Sequence, residues 1–301
     1  MGIWDTEDRG IKAEDSLMIG SGRLEVEIAR PGRVYKGSRF DWTGFITRIT
    51  LDKRHNFCVP EQYERNKGTG GIGFCNEFGI DMTPGYEEAG IGGSFTKIGI
   101  GLLRRVSAGP YEFHRPYDIE PYPVQMSCDG QSAKFTMEPV ECSGYAVRLE
   151  KTVRVEDRIL RMDYRLENTG GKDIATNEYC HNFMGIDGHK LGRDYCLSFP
   201  GLIKADRLAG KFTLNGDKIL WEEEPEEDFY GIIQKDRRDG DCQWQLVHGP
   251  SGVGVKDISR LPAAKYALWG CGHVVSPEVF IDIRLKPGER MEWSREYEFF
   301  C

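Results

Sequence analysis

The sequence contains no run of about 20 apolar residues, the length a membrane-spanning helix requires. It also lacks a surplus of positive charge, since 40 Lys and Arg against 48 Asp and Glu leave a net charge of −8. Nucleic-acid binding needs a basic surface, so nucleic acid is excluded as the main partner. None of the nine cysteines forms a Cys-x-x-Cys pair, which removes zinc ribbons and thioredoxin-type redox motifs. No Gly-Lys-Ser/Thr follows Gly90-Ile-Gly-Gly or Gly99-Ile-Gly-Leu. These stretches read as turns or close sheet contacts, not phosphate loops. Helical periodicity is missing too, apart from a turn or two over 60–67.

The polar start of the chain has no secretory signal, and the odd, scattered cysteines suit reduced thiols, so a cytoplasmic location is expected. Gly2 and Thr6 match the loose N-myristoylation pattern, but no basic cluster supplies a second membrane signal, and no membrane partner is expected.

What is present is two-residue alternation. Leu24, Val26 and Ile28 alternate with charged residues, as do Phe45, Thr47, Ile49 and Leu51 with their neighbours. A hairpin is readable over 153–166, turning at Glu156–Arg158. Val279, Ile281, Ile283 and Leu285 form one apolar face before the turn Lys286-Pro-Gly-Glu. Met291, Trp293, Arg295, Tyr297 and Phe299 then alternate with polar residues, which predicts a closing antiparallel hairpin. With no internal repeat and no linker, residues 1–301 read as one all-β domain of two packed sheets.

Three segments carry a resemblance to the galactose mutarotase-like superfamily, the relatives of aldose 1-epimerase. Glu167-Asn-Thr-Gly-Gly is followed by Asn177-Glu-Tyr-Cys-His-Asn-Phe. His273-Val-Val-Ser-Pro-Glu-Val-Phe-Ile-Asp comes later, and Leu285-Lys-Pro-Gly-Glu closes the chain with its following strand. The resemblance implies a β-supersandwich of large antiparallel sheets with a sugar site on a concave sheet face. It also implies His181 as catalytic acid and Glu278 as catalytic base. The N-terminal half departs from the pattern: Arg39-Phe-Asp-Trp-Thr-Gly and Cys75-Asn-Glu-Phe-Gly stand where an Asn-Arg pair and a His-Gly segment are usual. That marks a divergent branch.

The chemistry suits these residues. Mutarotation opens a cyclic hemiacetal, with a base on the anomeric hydroxyl and an acid on the ring oxygen. An imidazole and a tuned carboxylate can serve, and no cofactor is required. If 177–183 is extended, Asn177, Tyr179, His181 and Phe183 share a face. Cys180 then points away from His181, so the two cannot easily share a metal, and no metal site is expected.

Polar residues among apolar neighbours are candidate substrate contacts: Arg48, Glu77, Lys97, His114, Asn177 and Tyr179. Each could equally be a wet-face strand residue. Lys97 and Arg104 would suit an anionic sugar. The expected partner is a small-molecule carbohydrate, and an edge-strand homodimer is compatible with the sequence. A non-catalytic sugar-binding or sensor protein, or a carbohydrate lyase or hydrolase, would share the fold.

Overall fold

Alternation becomes strand nearly wherever it occurs. The computed structural model describes residues 12–64, 67–206, 212–235 and 242–301; Gly2 and Thr6 lie outside them. In chain order come β1 (Ser16–Gly20), β2 (Leu24–Ala29), β3 (Phe45–Leu51), β4 (His55–Asn56), β5 (Gly73–Phe78), β6 (Ser94–Lys97), β7 (Gly101–Arg104) and β8 (Ile119–Pro121). There follow β9 (Val124–Cys128), β10 (Ser132–Met137), β11 (Val147–Glu156), β12 (Ile159–Asn168), β13 (Ile174–Phe183), β14 (Tyr195–Ser198), β15 (Ile203–Asp206) and β16 (Phe212–Asn215). The last are β17 (Lys218–Trp221), β18 (Phe229–Lys235), β19 (Trp244–His248), β20 (Val253–Asp257), β21 (Ala263–Cys271), β22 (Val274–Leu285) and β23 (Arg290–Phe300).

The first large sheet runs β1-β2-β3-β5-β13-β22-β21-β18-β15, with β4 beside β3. The second runs β16-β17-β14-β19-β20-β23-β12-β11-β10-β9, and a small third sheet holds β6-β7-β8. Helix among the described residues is limited to 3-10 turns at Ala13–Asp15 and Ile186–Gly188. No helix there is long and apolar enough to cross a membrane. Pro60 forms a bridge to Ile72 instead of opening a helical turn.

The predicted hairpin at 153–166 is the β11–β12 pair, with Val155 opposite Leu160. The predicted closing hairpin is not a hairpin. β22 pairs with β13 and β21 in the first sheet, whereas β23 pairs with β12 and β20 in the second. Alternation could not separate the two cases, because apolar faces that meet across a sandwich look like those of a paired hairpin. The chain crosses between sheets in the same place after β12. There the Asn168 amide donates to the carbonyls of Lys172 and Leu285, tying both crossings together.

Leu149, Leu160, Met162 and Leu166 from the second sheet meet Phe74, Phe78, Val279 and Ile281 from the first in one apolar cluster. Each such buried side chain contributes about 1.5–3 kcal/mol. The filling also contains a polar chain. Lys151 Nζ donates to Asn76 Oδ1 (2.6 Å), Asn76 Nδ2 to Glu178 Oε1 (2.6 Å), and Arg295 clamps Glu178 at 3.1 and 2.7 Å.

Strands β5 and β13 depart from alternation. All of β5 is buried, and all of β13 except Ala175. A strand covered on both faces loses its wet side. Their outer face is covered by a second cluster that joins Phe40, Phe45, Cys75 and Phe183 to Phe95 of β6 and Leu103 of β7.

Candidate active site

Pairing on either side of β13 decides what meets on this outer face. On β5, Glu77 lies opposite Tyr179 and Cys75 opposite His181. On β22, Asn177 faces Asp282, and beyond the strand end Met184 faces Val275. That register brings Glu278 beside His181, with Nε2 and Oε1 3.3 Å apart.

The surroundings of the pair are aromatic. The His181 ring stacks on Phe183 (centroids 3.9 Å apart, planes at 6°) and meets the edges of Trp269 at 5.1 Å and Phe40 at 6.0 Å. Ser276 Oγ donates to Glu278 Oε1 at 3.3 Å. Small Ala267 is the cross-strand neighbour of Glu278. The two side chains are each only 4% exposed, and burial acts on them oppositely because it disfavours charge. The Glu278 carboxyl is pushed up to about 8, with Arg39 and Lys265 opposing. The His181 imidazole is driven well below its usual 6.5 by burial and then by Arg39. His181 Nδ1 is buried without a hydrogen-bond partner among the described residues. Such a nitrogen costs about 1–3 kcal/mol, which a ligand hydroxyl or a water would recover.

A second constellation adjoins the pair. Arg39 Nε donates to Glu77 Oε2 at 2.9 Å, and its other nitrogens reach Thr69 Oγ1 and Tyr179 Oη at 3.0 Å each. Tyr179 Oη donates to the same Glu77 oxygen at 2.6 Å. Lys97 Nζ lies 3.4 Å from Glu77 Oε1 and 3.2 Å from the Gly79 carbonyl oxygen. Its pKa is lowered to about 8 by burial, against the pull of Glu77. The Arg39 guanidinium packs between the rings of Phe40 and Phe113 at 4.5 and 4.3 Å.

On its far side Arg39 lines a cavity of 290 Å³, together with Lys36, Ser38, Thr69, His114 and Arg115. It is just smaller than the about 300–1,000 Å³ of small-molecule sites, room for part of a ligand, and neither His181 nor Glu278 lines it.

The expected residues are distributed unevenly. His181, Glu278, Glu77, Lys97 and Tyr179 come together on one sheet face. Asn177 borders them, its amide donating to Asp81 at 2.6 Å. His114 is exposed and reaches only the cavity. Arg48 is not brought in: it pairs with its cross-strand neighbour Glu27 at 3.4 Å on β3, two strands away from β13. Arg104 ends β7 exposed to solvent. Sequence reasoning missed Arg39, Lys265, Trp269 and Phe280, whose ring stacks on Tyr179 at 4.3 Å, as site residues. Arg39 precedes its strand in a loop, where no periodicity marks it.

No protein-family model matches the chain, and no curated protein sequence does. Solved structures match along nearly its whole length. A galactose mutarotase related enzyme from Lactobacillus acidophilus has a TM-score of 0.62 at 10% identity, covering 95% of this chain and 97% of its own. An aldose epimerase homologue from C. elegans has a TM-score of 0.58 at 11% identity, covering 95% and 98%. A galactose 1-epimerase from Lactobacillus acidophilus has a TM-score of 0.56 at 12% identity, covering 95% and 94%. At identity this low the likeness shows the architecture alone, and it covers 95% of the chain: this chain has the galactose mutarotase-like fold.

Proposed function

We propose that the chain is an isomerase that interconverts the anomers of an aldose or aldose derivative, with residues 1–301 acting as one carbohydrate-binding domain. The observation that carries this reading is the His181–Glu278 contact of 3.3 Å on an aromatic-walled sheet face. The two oxygens that must exchange protons are bonded to the same carbon. A donor and an acceptor must therefore stand nearly side by side, as these two do.

Between the depressed value of His181 and about 8 for Glu278 the pair holds one proton, which is one acid and one base. The resemblance assigns the acid to His181. Burial keeps the resting proton on Glu278. In this reading the two forms belong to one cycle. Ring opening takes a proton from the anomeric hydroxyl to Glu278 and gives one from His181 to the ring oxygen, and closure reverses both transfers. Before opening, the proton passes from Glu278 Oε1 to His181 Nε2 across their 3.3 Å contact, which sets up the acid and the base that the step needs. Arg39 and Tyr179 would hold sugar hydroxyls, and Trp269 would supply an apolar wall.

The test is saturation-transfer NMR of anomer exchange on a panel of aldoses and acidic aldoses, with His181→Ala and Glu278→Ala beside the unaltered protein. Exchange accelerated for at least one sugar, and reduced about 10²–10⁴-fold in both variants, is expected from acid–base catalysis. Sugars that bind without faster exchange would replace this reading with that of a sugar-binding or sensor protein.

A further inference from the structure

We propose that the natural ligand carries an anionic group, a carboxylate or phosphate ester, remote from its anomeric carbon, and that the Arg39-lined cavity receives it. This rests on the anomer-interconversion reading for the chemistry at the other end of the ligand.

The lining of the cavity points this way. The chain carries a net charge of −8, yet the cavity is walled by Lys36, Arg39, His114 and Arg115, and no Asp or Glu is among the described residues that line it. Lys36 is exposed, with no ion pair to a described residue. Arg115 is held by Glu112 through Nε at 2.7 Å, and Glu112 is not part of the wall. The Ser38 and Thr69 hydroxyls already donate to the Arg115 carbonyl oxygen and to Glu61, so oxyanion oxygens would meet the cationic side chains.

Arg39 also fixes the geometry. It touches Tyr179 and Glu77 on the sheet face and lines the cavity on its other side, while the adjacent Phe40 meets His181 edge-on. A sugar with its anomeric carbon at His181 and Glu278 would direct a remote substituent past Arg39 into the cavity.

The experiment compares matched sets: a neutral aldose, its terminal uronate and its terminal phosphate, in several configurations. KM is taken from the concentration dependence of anomer exchange, and Kd for the same sugars from calorimetry. The expected result is a KM at least about tenfold lower for an acidic form than for its neutral parent. That preference should shrink towards unity in Lys36→Ala/Arg115→Ala and with added salt. Both residues are at the surface, and thermal unfolding checks that the double variant folds. The uronate and phosphate arms separate the two sources of charge. If neutral and acidic forms exchange with equal KM, this inference falls and anomer interconversion stands. If nothing exchanges but acidic sugars bind where neutral ones do not, the inference stands and interconversion falls. If no acidic sugar binds or exchanges, the inference is overturned.

Discussion

His181 and Glu278 stand 3.3 Å apart on neighbouring strands, and the same burial moves their proton affinities in opposite directions. This relationship makes a definite statement about pH. Below the value of His181 both groups are protonated and no base is left. Above about 8 both are deprotonated and no acid is left. The rate of anomer exchange should therefore show a plateau that extends well to the acid side of 6.5 and an alkaline limb near pH 8. The limbs belong to the pair and not to either residue alone. Exchange NMR across the pH range checks this, and a profile still rising beyond pH 8 would contradict the proton count.

Stability should follow pH through the same carboxyl. Glu278 ordinarily titrates near 4.5 and is raised to about 8 in the folded chain. The folded state therefore binds the proton more tightly than the unfolded state. Its contribution to stability is full below about 4.5 and is lost as pH rises through about 8. His181, depressed in the folded chain, contributes above its ordinary 6.5 and loses that contribution as pH falls through its folded value. Glu278→Gln should flatten the alkaline side, so that the unaltered protein loses urea resistance relative to the variant as pH rises from about 5 to about 8. Identical slopes in the two proteins would place the proton elsewhere.

The strands were readable because alternation reports a half-covered sheet, and most of this chain is half-covered. It fails where the site lies. On β5 and β13 both faces are buried, so Glu77, Tyr179 and His181 sit among residues with no wet side for contrast. The placement of Glu278 came from resemblance, not from pattern, since β22 is buried continuously from Val274 to Ile281. Arg39 left no trace in the sequence because its role depends on a loop folding over β5 and β13. Arg48 misled because a polar residue between apolar ones looks the same whether it faces a site or a carboxylate on the next strand.

Glu77 and Lys97 should behave very differently when removed. Glu77→Gln leaves Arg39 and Lys97 buried with no shared carboxylate, which costs about 3–5 kcal/mol. Lys97→Met leaves the Arg39–Glu77 pair intact and removes a cation whose pKa burial has lowered to about 8. That change should be neutral or stabilising, and adding it to Glu77→Gln should recover part of the loss. Denaturant midpoints of the two single variants and the double variant decide the point. Equal destabilisation by both single changes would mean that Lys97 is held by packing and not by charge.

The last prediction concerns the back of the site. Asn76 and Glu178 lie between the sheets and alternate along β5 and β13 with Glu77 and Tyr179 on the site face. Arg295 holds Glu178 through two nitrogens and also donates to the Val279 carbonyl oxygen at 2.9 Å, one residue beyond Glu278. Arg295→Met should cost about 3–5 kcal/mol, because Glu178 is left as an uncompensated buried charge. Arg295→Met/Glu178→Gln should restore much of that stability but not the anchor on Val279. If the anchor positions Glu278, the double variant folds well and still exchanges anomers slowly, with kcat reduced more than KM is raised. If stability and kcat recover together, Arg295 serves the fold alone. Urea unfolding and exchange NMR on the same samples separate the two outcomes.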